Sequence, residues 1–201
     1  MNEHQEAVGS PASVHKGSGV AVSEGKWYIA ECKPTRERTI RQLLQKSDYE
    51  AYVASQPVMR VYKSRNRRLV EKVIITGRVF VHTTEKQLMD IMLQFSSVYR
   101  FMQNRAAGVN EYGIRPYAYV TDQEMQYLQY MLNNAPNPVH ITTDQLVLGQ
   151  KIKVLRGPMA GFQGYFTKVA NASCIVLKME MGTSHYIYTE IPLEDVQPVD
   201  D

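Results

Sequence analysis

Two groups of residues in this chain have types and spacings that could do chemistry. The first is "VLRGPMAGFQGYF", residues 154–166, where Gly157, Gly161 and Gly164 stand at spacings of four and three. A glycine-rich turn beside the strand-like "KIKVL" raises a phosphate cradle, which needs a helix N-terminus and a lysine after the turn. The residues after Gly164 are "YFTKV", alternating and β-branched, with no Gly-Lys-Ser/Thr sequence. A sharp hairpin with glycines at positive φ fits these residues better. The second group is cationic: Arg36, Arg38 and Arg41, then Arg60, Lys63, Arg65, Arg67, Arg68 and Lys72, with Tyr62 interleaved. Such a set makes salt-dependent contacts to phosphates, and an interleaved tyrosine can stack on a base. The competing reading is a solvated, charged hairpin tip. No nucleophile–base pair, paired carboxylates or metal-ligand spacing stands out among the residues, so no catalytic or metal site and no cofactor is expected.

The elements that must position these groups can be read from periodicity. "KWYIAECK" reads as a short apolar strand. "PTRERTIRQLLQKS" reads as a helix opened at Pro34, with Ile40, Leu43, Leu44 and Ser47 on one face and the arginines near the other. "YEAYVASQPVMRVYKS" and "RLVEKVIITGRVFVHT" read as strands joined through the basic "KSRNRR". "TEKQLMDIMLQFSS" is a second helix, with Thr84 and Gln87 at capping-box spacing and a stripe of Leu88, Ile91, Met92 and Phe95. "VYRFMQN" is another strand. "TDQEMQYLQYMLNN" is a third helix, capped by Thr121 or Asp122. "NNAPNPVHITTDQ" then reads as a linker. After it, "QKIKVLR", "GYFTKVA", "SCIVLKME", "SHYIYTEI" and "EDVQPV" are strand-like runs about ten residues apart, the pattern of a small β-barrel.

The expected fold class is α+β: an α/β sandwich with an antiparallel sheet flanked by helices, then a small five-stranded barrel. The expected divisions are a flexible tail over 1–25, a first domain over 26–133, a linker over 134–147 and a second domain over 148–199. Residues 26–135 carry 17 Lys/Arg against 10 Asp/Glu, and residues 148–201 carry 5 against 6. The first block suits a polyanion and the second has no such bias. Cys32 and Cys174 are far apart and read as free, buried thiols of a cytoplasmic protein. No secretory signal or membrane span is expected, and a monomer is.

The run from Gly149 to Val169 resembles a KOW motif, found in the C-terminal domain of NusG-family elongation factors and in some ribosomal proteins. Gly149, Gly157, Pro158, Gly161 and Gly164 agree with it. The element order upstream, with "KWYIAECKPTRE" and "VIITGRVFV", is similar to the NusG N-terminal domain, so the barrel is expected to be SH3-like. The extended N-terminus and divergent sequence look more like a specialised paralogue of the RfaH or UpxY type.

The resemblance implies an antiterminator. Its first domain would bind the clamp helices of RNA polymerase, bridge toward the β subunit and suppress pausing, with capsular or exopolysaccharide operons as candidate targets. Its KOW domain would recruit Rho or a ribosomal protein. The alternatives are a housekeeping NusG that works with Rho and a ribosome- or RNA-associated KOW protein. A clamp-binding depression implies Trp27, Tyr28, Val79, Phe80 and Phe101 as polymerase contacts, each weighed equally as plain core. Arg78 stands where the family often has an aromatic, so it could shift the docking surface or pair with an acidic polymerase residue. Arg36, Arg38, Arg41, Lys63, Arg65, Arg67 and Arg68 are the candidates for upstream or non-template DNA. The "HTT" triplet at 82–84 falls at a strand end, where Thr84 is read as a helix cap.

Overall fold

The computed structural model describes residues 25–61 and 66–199. The 1–25 tail expectation, Gly25 apart, lies outside the described residues, as do Lys63 and Arg65.

The first half is built on an antiparallel sheet. β1 (Lys26–Cys32) is its centre, paired with β5 (Arg78–Thr83), with β6 (Val98–Phe101) and with β7 (Tyr119–Val120). β2 (Glu50–Tyr52) closes the other side, giving the order β2-β5-β1-β6. Because successive strand residues face opposite ways, β1 and β5 feed two cores at once. Trp27, Ile29 and Phe80 face α3 (Asp122–Asn134) and the barrel. Tyr28, Ala30, Val79 and Val81 face α1 (Glu37–Lys46) and α2 (Leu88–Gln94).

α1 starts at Glu37 rather than Pro34, and it buries Ile40 and Leu44. Leu43 is 41% exposed and Ser47 is the C-cap, so the apolar stripe is narrower than its sequence suggests. α3 begins with a capping box: Glu124 N donates to Thr121 Oγ1 at 3.2 Å, and Thr121 N donates to Glu124 Oε2 at 2.9 Å. At α2, Thr84 N and the Thr83 and Thr84 hydroxyls all donate to Gln87 Oε1, at 3.2, 2.8 and 2.9 Å. A 3-10 turn (Glu85–Gln87) leads into that helix. β3 (Ser55–Val61) and β4 (Arg67–Val73) pair only with each other, as a two-stranded ribbon.

The second half is a six-stranded antiparallel sheet in the order β13-β9-β10-β11-β12-β8, which fits a small KOW-type barrel. Its strands are β9 (Lys151–Val154), β10 (Gln163–Val169), β11 (Ala172–Glu180), β12 (Ser184–Glu190) and β13 (Val196–Pro198). The sixth, β8 (His140–Thr142), comes from the segment read as linker and pairs with β12. The glycines of the 154–166 stretch play two parts. Gly157 and Gly161 have φ of +79° and +88°, which only glycine adopts freely. Gly164 is needed for closeness instead: a Cβ there would lie 2.7 Å from the Val176 carbonyl oxygen.

Candidate functional site

The five apolar candidates do not form one surface. Trp27 and Phe80 lie on the sheet face covered by α3, and Tyr28, Val79 and Phe101 lie on the face covered by α1 and α2. All five are at most 6% exposed. Trp27 is further fixed by its indole N–H, which donates to Asp122 Oδ1 at 2.9 Å.

Arg78 is the accessible member of the set, half-buried at the start of β5. The turn before it is fixed by the buried carboxylate of Glu37, which accepts the Gly77 N–H at 2.7 Å. Arg78 Nη2 lies 3.1 Å from Glu31 Oε1, Nη1 donates to Gly77 O at 3.0 Å, and Nε approaches Met102 Sδ at 3.2 Å. Glu31 also pairs with Arg100. The Arg78 charge is therefore met within the chain. Arg78 and Met102 share a cavity of about 370 Å³ with Ile75 of the first half and Thr142, Met181 and His185 of the second. The barrel thus closes over this edge of the sheet.

Other contacts seat the barrel on the first half. The Tyr130 ring on α3 stacks on Phe162 at 6.0 Å with 6° between planes. Its hydroxyl donates to Ala160 O at 3.0 Å and Pro158 O at 3.3 Å, so the glycine-rich turn rests on α3. Gln56, on the ribbon, is buried and holds the connecting segment. Its Nε2 donates to Asn137 O at 3.1 Å and Ala135 O at 3.4 Å, and its Oε1 accepts from Val139 N at 2.9 Å. Neither Gln56 nor Tyr130 carries a signal in the sequence, because each owes its role to partners more than 25 positions away.

The basic residues are better gathered. Arg38 pairs with Glu71 at 3.4 Å and also donates to its carbonyl, which ties α1 to the ribbon. Arg36 is the N-cap of α1 and exposed. Arg41 lies beside Tyr52: burial pushes that phenol up to about 12, and the Arg41 charge works against the rise. The Arg41 Nε is buried without a hydrogen-bond partner, a costly state unless a ligand or water reaches it. On the ribbon, Arg60 stands opposite Arg68, Gln56 opposite Lys72, and Met59 opposite Leu69. Alternation therefore puts Gln56, Arg60, Arg68 and Lys72 on one face and Pro57, Met59, Arg67, Leu69 and Glu71 on the other, so Arg67 does not join Arg68. Met59 and Leu69 are 60% and 68% exposed.

Among the described residues no group of three His, Cys, Asp or Glu could hold a metal ion, and no helix is long and apolar enough to cross a membrane. Cys32 and Cys174 are both free and buried.

No curated protein sequence matched the chain. Among solved structures, one described as the domain interaction in Thermotoga maritima NusG is 16% identical, with 88% of this chain and 98% of that one covered at a TM-score of 0.40. The MjSpt4:Spt5 complex in conformation A is 14% identical, with 86% and 97% covered at 0.29. The family model described as NusG, transcription termination factor nusG, matches residues 25–128, just over half of the 201 residues. The chain belongs to the NusG family.

Proposed function

We propose that this chain regulates transcript elongation as an antiterminator of the RfaH or UpxY type. In this reading residues 26–133 bind elongating RNA polymerase and hold it in a pause-resistant state, and residues 148–199 form the KOW unit that recruits a second protein. Membership of the NusG family supports a role in transcription elongation. The observation that carries the nucleic-acid part is the ribbon face along which Arg60, Arg68 and Lys72 align. Upstream or non-template DNA meets that surface through its phosphates. The polymerase contact is assigned to the edge around Arg78, which the barrel covers in this arrangement, so binding there requires the barrel to move aside. The action is non-enzymatic and cytoplasmic.

Transcription in vitro by core polymerase across a long template tests the reading. The full chain should raise the yield of full-length transcript with and without Rho. More terminated product when Rho is present would mark a housekeeping factor, and failure to be retained on core polymerase would mark a ribosome- or RNA-associated protein.

A further inference from the structure

One rung of the N-terminal sheet sets an indole, an imidazole and a carboxylate side by side. Trp27 of β1 opposes His82 of β5, and His82 opposes Glu50 of β2. Residues opposed on antiparallel strands share a face. This face is the one that α3 covers, and Trp27 and Phe80 pack into the core there. Asp122, the first residue of α3, reaches the same rung. The His82 ring therefore lies between two carboxylates. Its Nδ1 is 3.7 Å from Glu50 Oε2, and its Nε2 is 3.6 Å from Asp122 Oδ1. The Trp27 ring is 5.2 Å away, tilted at 53°. A Cβ on Gly25 would come within 2.6 Å of His82 Cε1, so the entering chain lies against the imidazole and limits how it can turn.

The two charge states of the ring fit this setting differently. A neutral imidazole has one N–H and one bare nitrogen. One carboxylate then meets a donor and the other faces a lone pair. An imidazolium presents an N–H to each. Asp122 Oδ1 already accepts the Trp27 indole N–H at 2.9 Å, which holds it in place beside the ring. The charged groups of the same elements turn elsewhere. The Lys26 ammonium lies over the Tyr119 ring at 3.9 Å, Glu124 is held by Thr121, and Arg78, at the far end of β5, pairs with Glu31.

We propose that His82 is a proton-operated latch. Charged, it ties the edge strand β2 and the start of α3 to β5 through two ion pairs. Neutral, it lets one of them go. The glycine-rich turn of the barrel rests on α3 through Tyr130, so the latch holds the helix that supports the barrel. Its tie is present in acid and weakens as pH rises through the window in which imidazoles titrate, ~5 to 8. Glu50 and Asp122 are each 67% exposed, so solvent screens both pairs and the effect is modest.

Trp27 is the only tryptophan in the chain, so its fluorescence in the full-length protein reads this rung alone. Across ~pH 5 to 8 the emission should follow a single proton. His82→Gln keeps a polar side chain that cannot charge, and it should abolish that titration. Urea unfolding should favour the parent over His82→Gln by about 2–5-fold more in the folding equilibrium at the acid end than at the alkaline end. Asp122→Asn keeps an acceptor for the Trp27 N–H and removes one charge. It should reduce the acid-to-alkaline change in stability without removing the fluorescence titration, and it serves if His82→Gln does not fold. A Trp27 titration that survives in His82→Gln overturns the latch. So does a pH dependence of stability that is the same in the parent and in Asp122→Asn.

Discussion

Gln56 Oε1 accepts the Val139 N–H at 2.9 Å across 83 positions of sequence. One buried side chain on the ribbon thereby holds the segment that joins the two halves. Gln56→Leu keeps the volume, leaves that N–H without its partner and takes a donor from the carbonyls of Ala135 and Asn137. A loss of about 1–3 kcal/mol is expected, lowering Tm by about 2–4 °C per kcal/mol in a chain of this size. Hydrogen exchange at the Val139 amide should speed up with it; unchanged exchange would show that the clasp contributes nothing.

Tyr130 links α3 to the glycine-rich turn in two ways that can be separated. Tyr130→Phe removes the bonds to Ala160 and Pro158 but keeps the stack on Phe162, at a cost of about 0.5–1.5 kcal/mol. Tyr130→Ala removes both and should cost more. Limited proteolysis of residues 135–147 reports the seating: cleavage should accelerate in the order parent, Phe, Ala.

The two kinds of glycine in residues 154–166 should respond differently to alanine. At Gly157 a Cβ meets nothing within 4 Å and only the positive φ is strained, so Gly157→Ala should cost about 1 kcal/mol. At Gly164 the new methyl would strike the Val176 carbonyl and force β10 from β11. Gly164→Ala should cost about 2–4 kcal/mol. Urea midpoints of the two variants would check the order, and equal losses would contradict it.

Arg68 faces Arg60 across the ribbon. If the ribbon meets duplex phosphates, Arg68→Ala should reduce the salt slope of duplex binding by about 0.9. Arg68→Lys should retain most of it. An unchanged slope in the alanine variant would remove the ribbon from the interface.

Burial pushes the Cys32 thiol up to about 11 from its ordinary 9.0. The folded chain therefore keeps the proton after the unfolded chain has lost it. This contribution to stability is present below pH 9 and lost progressively as pH rises toward 11. Urea midpoints of the parent and Cys32→Ala should converge across that window; parallel curves would show that Cys32 does not titrate with unfolding.

Much of this fold is legible because its signals are local. The capping boxes at Thr121 and Thr84, the five barrel strands and the turn at Gly157 and Gly161 each depend on residues within a few positions. β8 is different: "HIT" lies among prolines and asparagines, and its strand state comes from pairing with β12. The aromatic candidates are half legible. Trp27 and Tyr28 are neighbours on a strand, so alternation alone excludes a common face, although their depth of burial depends on which helices cover them. The cavity lined by Arg78, Met102, Thr142 and Met181 exists only where the barrel meets the first half, and no local pattern marks it.

β8 also sets the leash between the two halves. While it stays paired with β12, the tether between α3 and β8 is the five residues 135–139, whose reach is ~17 Å even if Gln56 lets go. Unzipping β8 frees residues 135–150 ahead of β9 and extends the reach to ~55 Å. Three residues of strand pairing thus set how far the barrel can travel once its other contacts with the first half are broken.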